Sequence, residues 1–325
     1  MAWDPNRPYT LWWTHLKEYE ECGLKFLWSR GWGKIDLGGG PGRKKPLDKP
    51  RSREHAVMGI AIQAVIEDLY NEELWRSPDS LKHQMKKLAL FYVQKELKDE
   101  RNWIDWRAAG MGQADIEDTV VSGVLGYLKT MKHHKLLGPY ARAEVELIGH
   151  LDKHNRLGGW ADTIIRREDT GITLLDGKNS KTKMLHVDPD QLRFYALLFY
   201  LSYNNTLPDR AAFVWYRFPY DGKDEQGLDW VPFTERDLQE IAARARKART
   251  GMNKGLFDAK PSSKACQYCP YKGVCPARLT IDNANAEKRK DLLPIVGHSE
   301  GFVEFDMDTD GQKTKPPSKE SSHDD

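Results

Sequence analysis

The sequence predicts a mixed α/β or α+β fold with a helical N-terminal part, and three observations carry that expectation. Apolar residues recur at helical spacing through much of residues 8–134. After Pro139 the pattern changes to period two. One further helical stretch, at 188–204, then separates these strands from a second strand group. The 325 residues, 39% hydrophobic and 30% charged, exclude a disulfide mini-protein, a collagen-like chain and a wholly disordered one. The net charge of +2, from 50 basic and 48 acidic residues, means that any basic surface must be local. No run of about 18 apolar residues is present, and no charged-then-apolar leader precedes a small-residue cleavage site. The expected location is the cytoplasm, or the host cytoplasm for a phage-encoded chain.

Taken in order, residues 8–30 read as a helix, with Trp12, Leu16, Tyr19 and Phe26 at helical spacing. Residues 31–53 are rich in Gly, Pro, Lys and Arg and read as a flexible basic loop. A helix follows over about 54–76, with Ile62, Val65, Ile66 and Leu69 on one stripe. Further helices are expected near 80–100, set off by Pro78, and at 114–134. Three strands joined by tight turns come next, in ARAEVELIGH, GGWADTIIR and GITLLDGK. Asp188 or Asp190, near Pro189, opens the helix at 188–204. Strands are expected near 210–218 and 228–233, then a basic helix capped by Thr234 or Asp237 and running to about 252. From about Asn283 apolar periodicity is lost, and the end reads as disordered.

Asp162 lies inside the second of the three strands, and Asp176 and Lys178 end the third. Residues two apart in a strand share a face, so Asp176 and Lys178 project together. A hairpin between the two strands brings Asp162 beside them. Converging carboxylates repel unless a cation lies between them. Hard oxygen ligands favour Mg²⁺ or Mn²⁺, and a nearby lysine can hold an attacking water or stabilise charge on a phosphate. This chemistry suits metal-assisted phosphodiester hydrolysis.

Three of the four cysteines crowd together as Cys266, Cys269 and Cys275, while Cys22 lies far upstream. The C-x-x-C spacing reads as metal ligation in a cytoplasmic chain. Four thiolates suit a 4Fe–4S cluster or a tetrahedral zinc, and spacing does not separate the two.

The acidic–lysine strand is followed by a helix with Gln191 and Tyr195 one turn apart, and preceded by Gly59 and Gln63 on the 54–76 helix. With the cysteines, this order of motifs resembles the PD-(D/E)XK nuclease superfamily. The resemblance spans Cys22 to Cys275 and is nearest the RecB-like branch with an iron–sulfur cluster, which includes the CRISPR-associated RecB-like nucleases and the nuclease domain of AddB. It implies a restriction-endonuclease-like core, a small central mixed sheet flanked by helices. Gly159-Trp160-Ala161-Asp162 matches the family's G-x-x-D strand and Asp176-Gly177-Lys178 its acidic-x-lysine strand. Asp162 and Asp176 would then ligate Mg²⁺ or Mn²⁺, with the Gly177 carbonyl, and Lys178 would be the catalytic lysine. Gln191 and Tyr195 match the Q-x-x-x-Y helix beside the active site and the DNA backbone. Glu144 matches an upstream glutamate. One position departs from the pattern: the family's G-x-x-x-H histidine, a metal ligand, is Gln63 here. His55, nearer the start of that helix, reads as a solvated residue. The resemblance also favours a 4Fe–4S cluster on Cys22, Cys266, Cys269 and Cys275 in a structural role.

The implied organisation is a helical region at 1–135, a nuclease core at 136–255, a cysteine segment at 256–282 that closes on Cys22, and an extension at 283–325. The implied activity is a metal-dependent deoxyribonuclease, an exonuclease on single-stranded or end-containing DNA. Its setting would be recombination, repair, CRISPR adaptation or phage DNA metabolism, with a helicase or adaptation protein as partner. No Walker A pattern is present, so no motor accompanies it in this chain. Lys181, Lys183, the arginines and lysines of the 236–254 helix (Arg236, Arg244, Arg246, Lys247, Arg249 and Lys254) and the loop at 43–53 are candidate phosphate contacts. Trp12, Trp13 and Trp32 could stack on unpaired bases but read better as core residues. A second reading is an inactive DNA-end-binding or adaptor protein, drawn from Gln63. A third is a zinc-stabilised nucleic-acid module.

Overall fold

The computed structural model describes residues 9–32, 52–183, 187–223 and 226–262, together with 266, 269–271, 275 and 277. The chain divides into Met1–Leu279 and Thr280–Asp325, and every described residue belongs to the first unit. Arg43, Lys44, Lys45, Lys49 and Arg51, and the extension from residue 283, lie outside the described residues. In order, the elements are β1 (Thr10–Trp12), α1 (Trp13–Glu21), α2 (Gly23–Ser29), α3 (Glu54–Asn71), α4 (Pro78–Lys98), α5 (Trp106–Ala109) and α6 (Gln113–His133). They continue as β2 (Ala141–Asp152), β3 (Asn155–Arg167), β4 (Gly171–Lys178), α7 (Pro189–Ser202), β5 (Arg210–Trp215), β6 (Leu228–Val231) and α8 (Glu235–Asn253).

The six strands form one mixed sheet. β2 runs antiparallel to β3 along nearly its whole length, from Ala141↔Ile165 to Asp152↔Asn155, and so occupies one edge of it. The other edge is shared. β1 pairs parallel with Arg156–Gly158, and β4 pairs antiparallel with Thr163–Arg167. β5 lies parallel to β4, and β6 antiparallel to β5. Along the shared edge, residues 159–162 of β3 have no ladder partner.

Helices cover both faces. Alternation along β5 assigns Ala212 and Val214 to a core with α3, α4 and α6, and Ala211, Phe213 and Trp215 to a core with β1, α1, α2, α7 and α8. This is the mixed sheet flanked by helices that the sequence predicts. Asp188 caps α7, accepting from Asp190 N–H at 3.2 Å, with Pro189 at the first helical position. Thr234 and Asp237 cap α8 together as a capping box.

The single helix expected over 8–30 is the main difference. It is a strand and two helices, interrupted at Cys22, whose backbone is extended (φ −166°, ψ 106°). β1 exists because β3 is longer than β4 and leaves an open edge, and an unpaired edge leaves backbone donors and acceptors unsatisfied. Gly23 lets α2 approach the chain near Phe257, whose Cα would stand 2.9 Å from a Cβ at this position.

Candidate active site

The stretch of β3 without a partner on the edge shared by β1 and β4, residues 159–162, is the sequence Gly-Trp-Ala-Asp. On β4 the last residue paired with β3 is Leu175, and Asp176, Gly177 and Lys178 follow it, still laddered to β5 as far as Lys178↔Trp215. The two strands therefore part where Asp162 and Asp176 stand. The Gly177 N–H donates to Asp162 Oδ2 at 2.7 Å, so a side-chain carboxylate takes the place of a ladder carbonyl.

Across this fork, Lys178 Nζ lies 2.5 Å from Asp176 Oδ2, an ion pair that lacks hydrogen-bond geometry. It donates to Gln191 Oε1 at 3.0 Å and lies 5.1 Å from the centroid of the Phe213 ring. The Gln191 amide bridges the pair, since its Nε2 donates to Asp176 Oδ1 at 2.8 Å. Tyr195, one turn further along α7, fills space that Gly159 leaves open. A Cβ at Gly159 would meet the Tyr195 ring at 2.7 Å.

The electrostatics follow from burial. Asp176 is 4% exposed, while Asp162 keeps some solvent access although protein surrounds it closely. Burial pushes the Asp162 carboxyl well above the ordinary carboxylate range, and the neighbouring Asp176 charge adds to the rise. Asp176 is also raised by burial, with Lys178 opposing the rise. Burial raises Tyr195 too, and the two aspartates reinforce it.

Glu144 stands opposite Asp162, between the pairs Ala143↔Thr163 and Val145↔Ala161. Its φ of 49° is left-handed in the middle of a strand, which costs on the order of 1–2 kcal/mol for a residue with a Cβ. Burial raises its pKa, and the approach of the Gln63 amide opposes that rise. The approach falls short of a hydrogen bond, because Gln63 Nε2 is buried with no partner. Gln63 Oε1, the atom that would face a metal, instead accepts from Tyr216 Oη at 3.2 Å. His55 is exposed and 3.9 Å from Glu54.

Tyr216 is the residue that the sequence reading missed. Its backbone N–H donates to Lys178 O at 3.0 Å, and its hydroxyl lies against Gly177. A Cβ at Gly177 would fall 1.7 Å from that hydroxyl and 2.3 Å from Cζ, so the whole buried ring would have to swing away. Gly177→Ala is therefore expected to lower stability by about 1–3 kcal/mol, read as a loss of Tm. The signal was present as a glycine between the acid and the lysine, which in a strand marks a close approach.

Among the described residues, no three His, Cys, Asp or Glu side chains stand close enough together to hold a metal ion. The two aspartates nevertheless suit Mg²⁺, which is commonly bound through one or two carboxylates with waters and substrate phosphates. Asp176 Oδ2, buried and without a hydrogen bond, is the atom such a cation would satisfy. The four cysteines are free thiols and line one pocket, with Trp28 and Tyr271. Burial raises the Cys269 thiol, and the neighbouring Cys22 and Cys266 add to the rise.

The expected phosphate contacts divide. On α8, Arg244 is engaged by Glu20 and Asp190, Arg246 by Asp152, and Arg249 is buried against the Tyr9 ring. These side chains fasten the fold. Lys181 is exposed, and Lys183 lies 3.9 Å from Asp229. Trp13 is buried against Phe194, and Trp32 packs edge-on to Tyr9 and Phe26.

A helix-flanked mixed sheet with an acid and a lysine on a central strand is the architecture of restriction-endonuclease-like nucleases. The chain belongs to the PD-(D/E)XK nuclease superfamily, whose family profile matches residues 13–276. Members of this superfamily usually use Mg²⁺ or Mn²⁺. Sixteen chains of solved structures match. One, described as the crystal structure of SSO0001, is 16% identical, with a TM-score of 0.29 over 51% of this chain and 79% of that one. No curated protein matches. No helix among the described residues is long and apolar enough to cross a membrane.

Proposed function

We propose that this chain is a Mg²⁺- or Mn²⁺-dependent deoxyribonuclease, an exonuclease acting on single-stranded or end-containing DNA. The setting would be recombination, repair, CRISPR adaptation or phage DNA metabolism, beside a helicase or adaptation partner. The observation that carries the reading is the fork between β3 and β4, where Asp162, Asp176 and Lys178 meet. Asp162, Asp176 and the Gly177 carbonyl would hold the metal, with Glu144 as a further carboxylate. When bound, the metal supplies Lewis acidity toward a phosphate oxygen and a more acidic water. Lys178 positions the attacking water or neutralises charge building on the phosphate. Gln191 holds both Lys178 and Asp176 through one amide, which fixes their spacing before substrate arrives. Tyr195 walls the site from α7.

Cys22, Cys266, Cys269 and Cys275 would hold a 4Fe–4S cluster that ties the break between α1 and α2 to the segment after α8. Their shared pocket supports that role. None of the four belongs to the carboxylate fork, so the cluster is structural in this reading.

The test is cleavage of end-labelled single- and double-stranded DNA by anaerobically purified protein, with Mg²⁺, Mn²⁺ or EDTA. Cutting is expected with metal and absent in EDTA, and Lys178→Ala should lower it by about 10²–10³ or more. Undiminished cutting in EDTA would refute the reading. One observation favours an adaptor that binds DNA without cutting it: Gln63 turns its oxygen to Tyr216. If folded wild-type protein binds DNA but does not cut, and Gln63→His confers Mn²⁺-dependent cutting, the adaptor reading holds.

A further inference from the structure

Among the described residues, Arg217 carries a charge that no carboxylate answers. It follows Tyr216, whose N–H is bonded to Lys178 O, and its own Nε donates to Asn179 Oδ1 at 3.2 Å, the residue after Lys178. Its only other described partner is a weak acceptor, Met58 Sδ on α3, at 3.5 Å. Among the described residues no carboxylate lies within ion-pairing distance of it. Asp115 and Asp118 line the same concavity, but Asp115 is occupied in capping α6, accepting from Gly112 N–H at 2.7 Å. Other half-buried arginines are compensated. Arg244 meets two carboxylates, Arg167 meets Asp169, and Arg210 lies over Trp230.

Asn179 adds a second donor. Its Oδ1 is taken by Arg217, and its Nδ2 is buried with no hydrogen-bond partner. A guanidinium without a counter-charge and an amide N–H without a partner thus stand together, among the described residues, at the end of the strand that bears Asp176 and Lys178. Burying a cation or an amide without a partner is costly. Burial accordingly pulls the Arg217 pKa down, with no neighbouring charge to oppose it. The ligand that resolves both deficits is an anion with several acceptor oxygens, and a guanidinium fork matches phosphate in a bidentate way.

We propose that Arg217 and Asn179 form a phosphate-binding pocket that seats one phosphodiester of the DNA backbone beside Lys178. This rests on the DNA-binding part of the function proposed above. Arg217 acts here as a positioning residue that sets which phosphate enters the fork.

The test is binding of a fluorescein-labelled oligonucleotide to the full chain in EDTA, across a salt series, with cleavage in Mg²⁺ measured separately. Arg217→Met is expected to weaken binding about tenfold and to lower the log–log salt slope by about one. Asn179→Asp keeps the shape of the side chain but offers Arg217 a carboxylate. It should raise Tm while weakening DNA binding at least as much as Arg217→Met, a pairing of signs that simple misfolding does not give. Wild-type affinity and slope in Asn179→Asp, or in a folded Arg217→Met protein, would overturn the proposal. Wild-type protein that binds DNA but never cuts it would defeat the nuclease reading and leave the Arg217 result legible. Wild-type protein that binds no DNA would defeat both.

Discussion

Asp176→Asn should abolish metal-dependent cleavage while leaving the metal-free protein at least as stable as the wild type. The two effects have one origin. Asp176 is nearly fully buried, and burial opposes its charge by more than the neighbouring Lys178 supports it. Its carboxyl pKa is raised, so above the ordinary carboxylate range the charged form weighs against folding, and that cost fades as pH falls and the group protonates. Asparagine keeps the shape and removes the charge. Gln191 loses a charged acceptor and Lys178 its counter-ion, which offsets part of the gain. In EDTA at neutral pH we expect an unchanged Tm or a rise of about 2–4 °C, the equivalent of about 1 kcal/mol in a chain of this size. Activity should fall by about 10³ or more, because one of the two aspartates proposed to hold the cation would be gone. The measurement is paired, Tm in EDTA against cleavage in Mg²⁺. A variant that unfolds well below the wild type would show Asp176 to be a structural acid and not one held at a cost for function.

The second large effect concerns the cysteines. Serine at Cys22, Cys266, Cys269 or Cys275 should bleach the brown colour of anaerobically purified protein and lower Tm by about 10 °C, equivalent to a few kcal/mol. Cys22 is the most informative of the four, because it occupies the extended residue between α1 and α2. Cleavage per folded molecule should survive, since the thiols lie outside the fork. Colourless wild-type protein containing zinc would replace the cluster by a tetrahedral site, and four silent serine variants would remove both.

Much of this was legible. Asp176 and Lys178 could be paired from their period-two spacing, and Asp162 from the hairpin that joins its strand to theirs. The caps at Asp188 and Thr234 were readable because capping is local chemistry. What stayed hidden depends on distant partners. The three residues Thr10–Trp12 look helical by periodicity, and only the excess length of β3 makes them a strand. The left-handed backbone at Glu144 leaves no trace in a strand-like sequence. Gly177 signals a close approach, but only the fold shows that Tyr216 is what approaches. Arginine spacing on α8 looked like a phosphate track, and only the folded chain shows Arg244 and Arg246 fastened to Glu20, Asp190 and Asp152. Arg217, isolated in the sequence, drew no notice.

The pairing of β1 with β3 also governs the order in which the molecule can be completed. Thr10 must wait for Arg156, about 150 residues later in the chain. Cys22 must wait longer still for Cys275. At about 5–20 residues per second of synthesis, the first strand stays unpaired for on the order of ten to thirty seconds, with Leu11 and Trp13 lacking the core that buries them. The last thiol arrives later again, so the proposed cluster would be loaded only after residue 275 has been made. Nascent protein would therefore pass through a window in which its N-terminus needs shielding, and slowing translation should lengthen that window and lower the yield of folded protein.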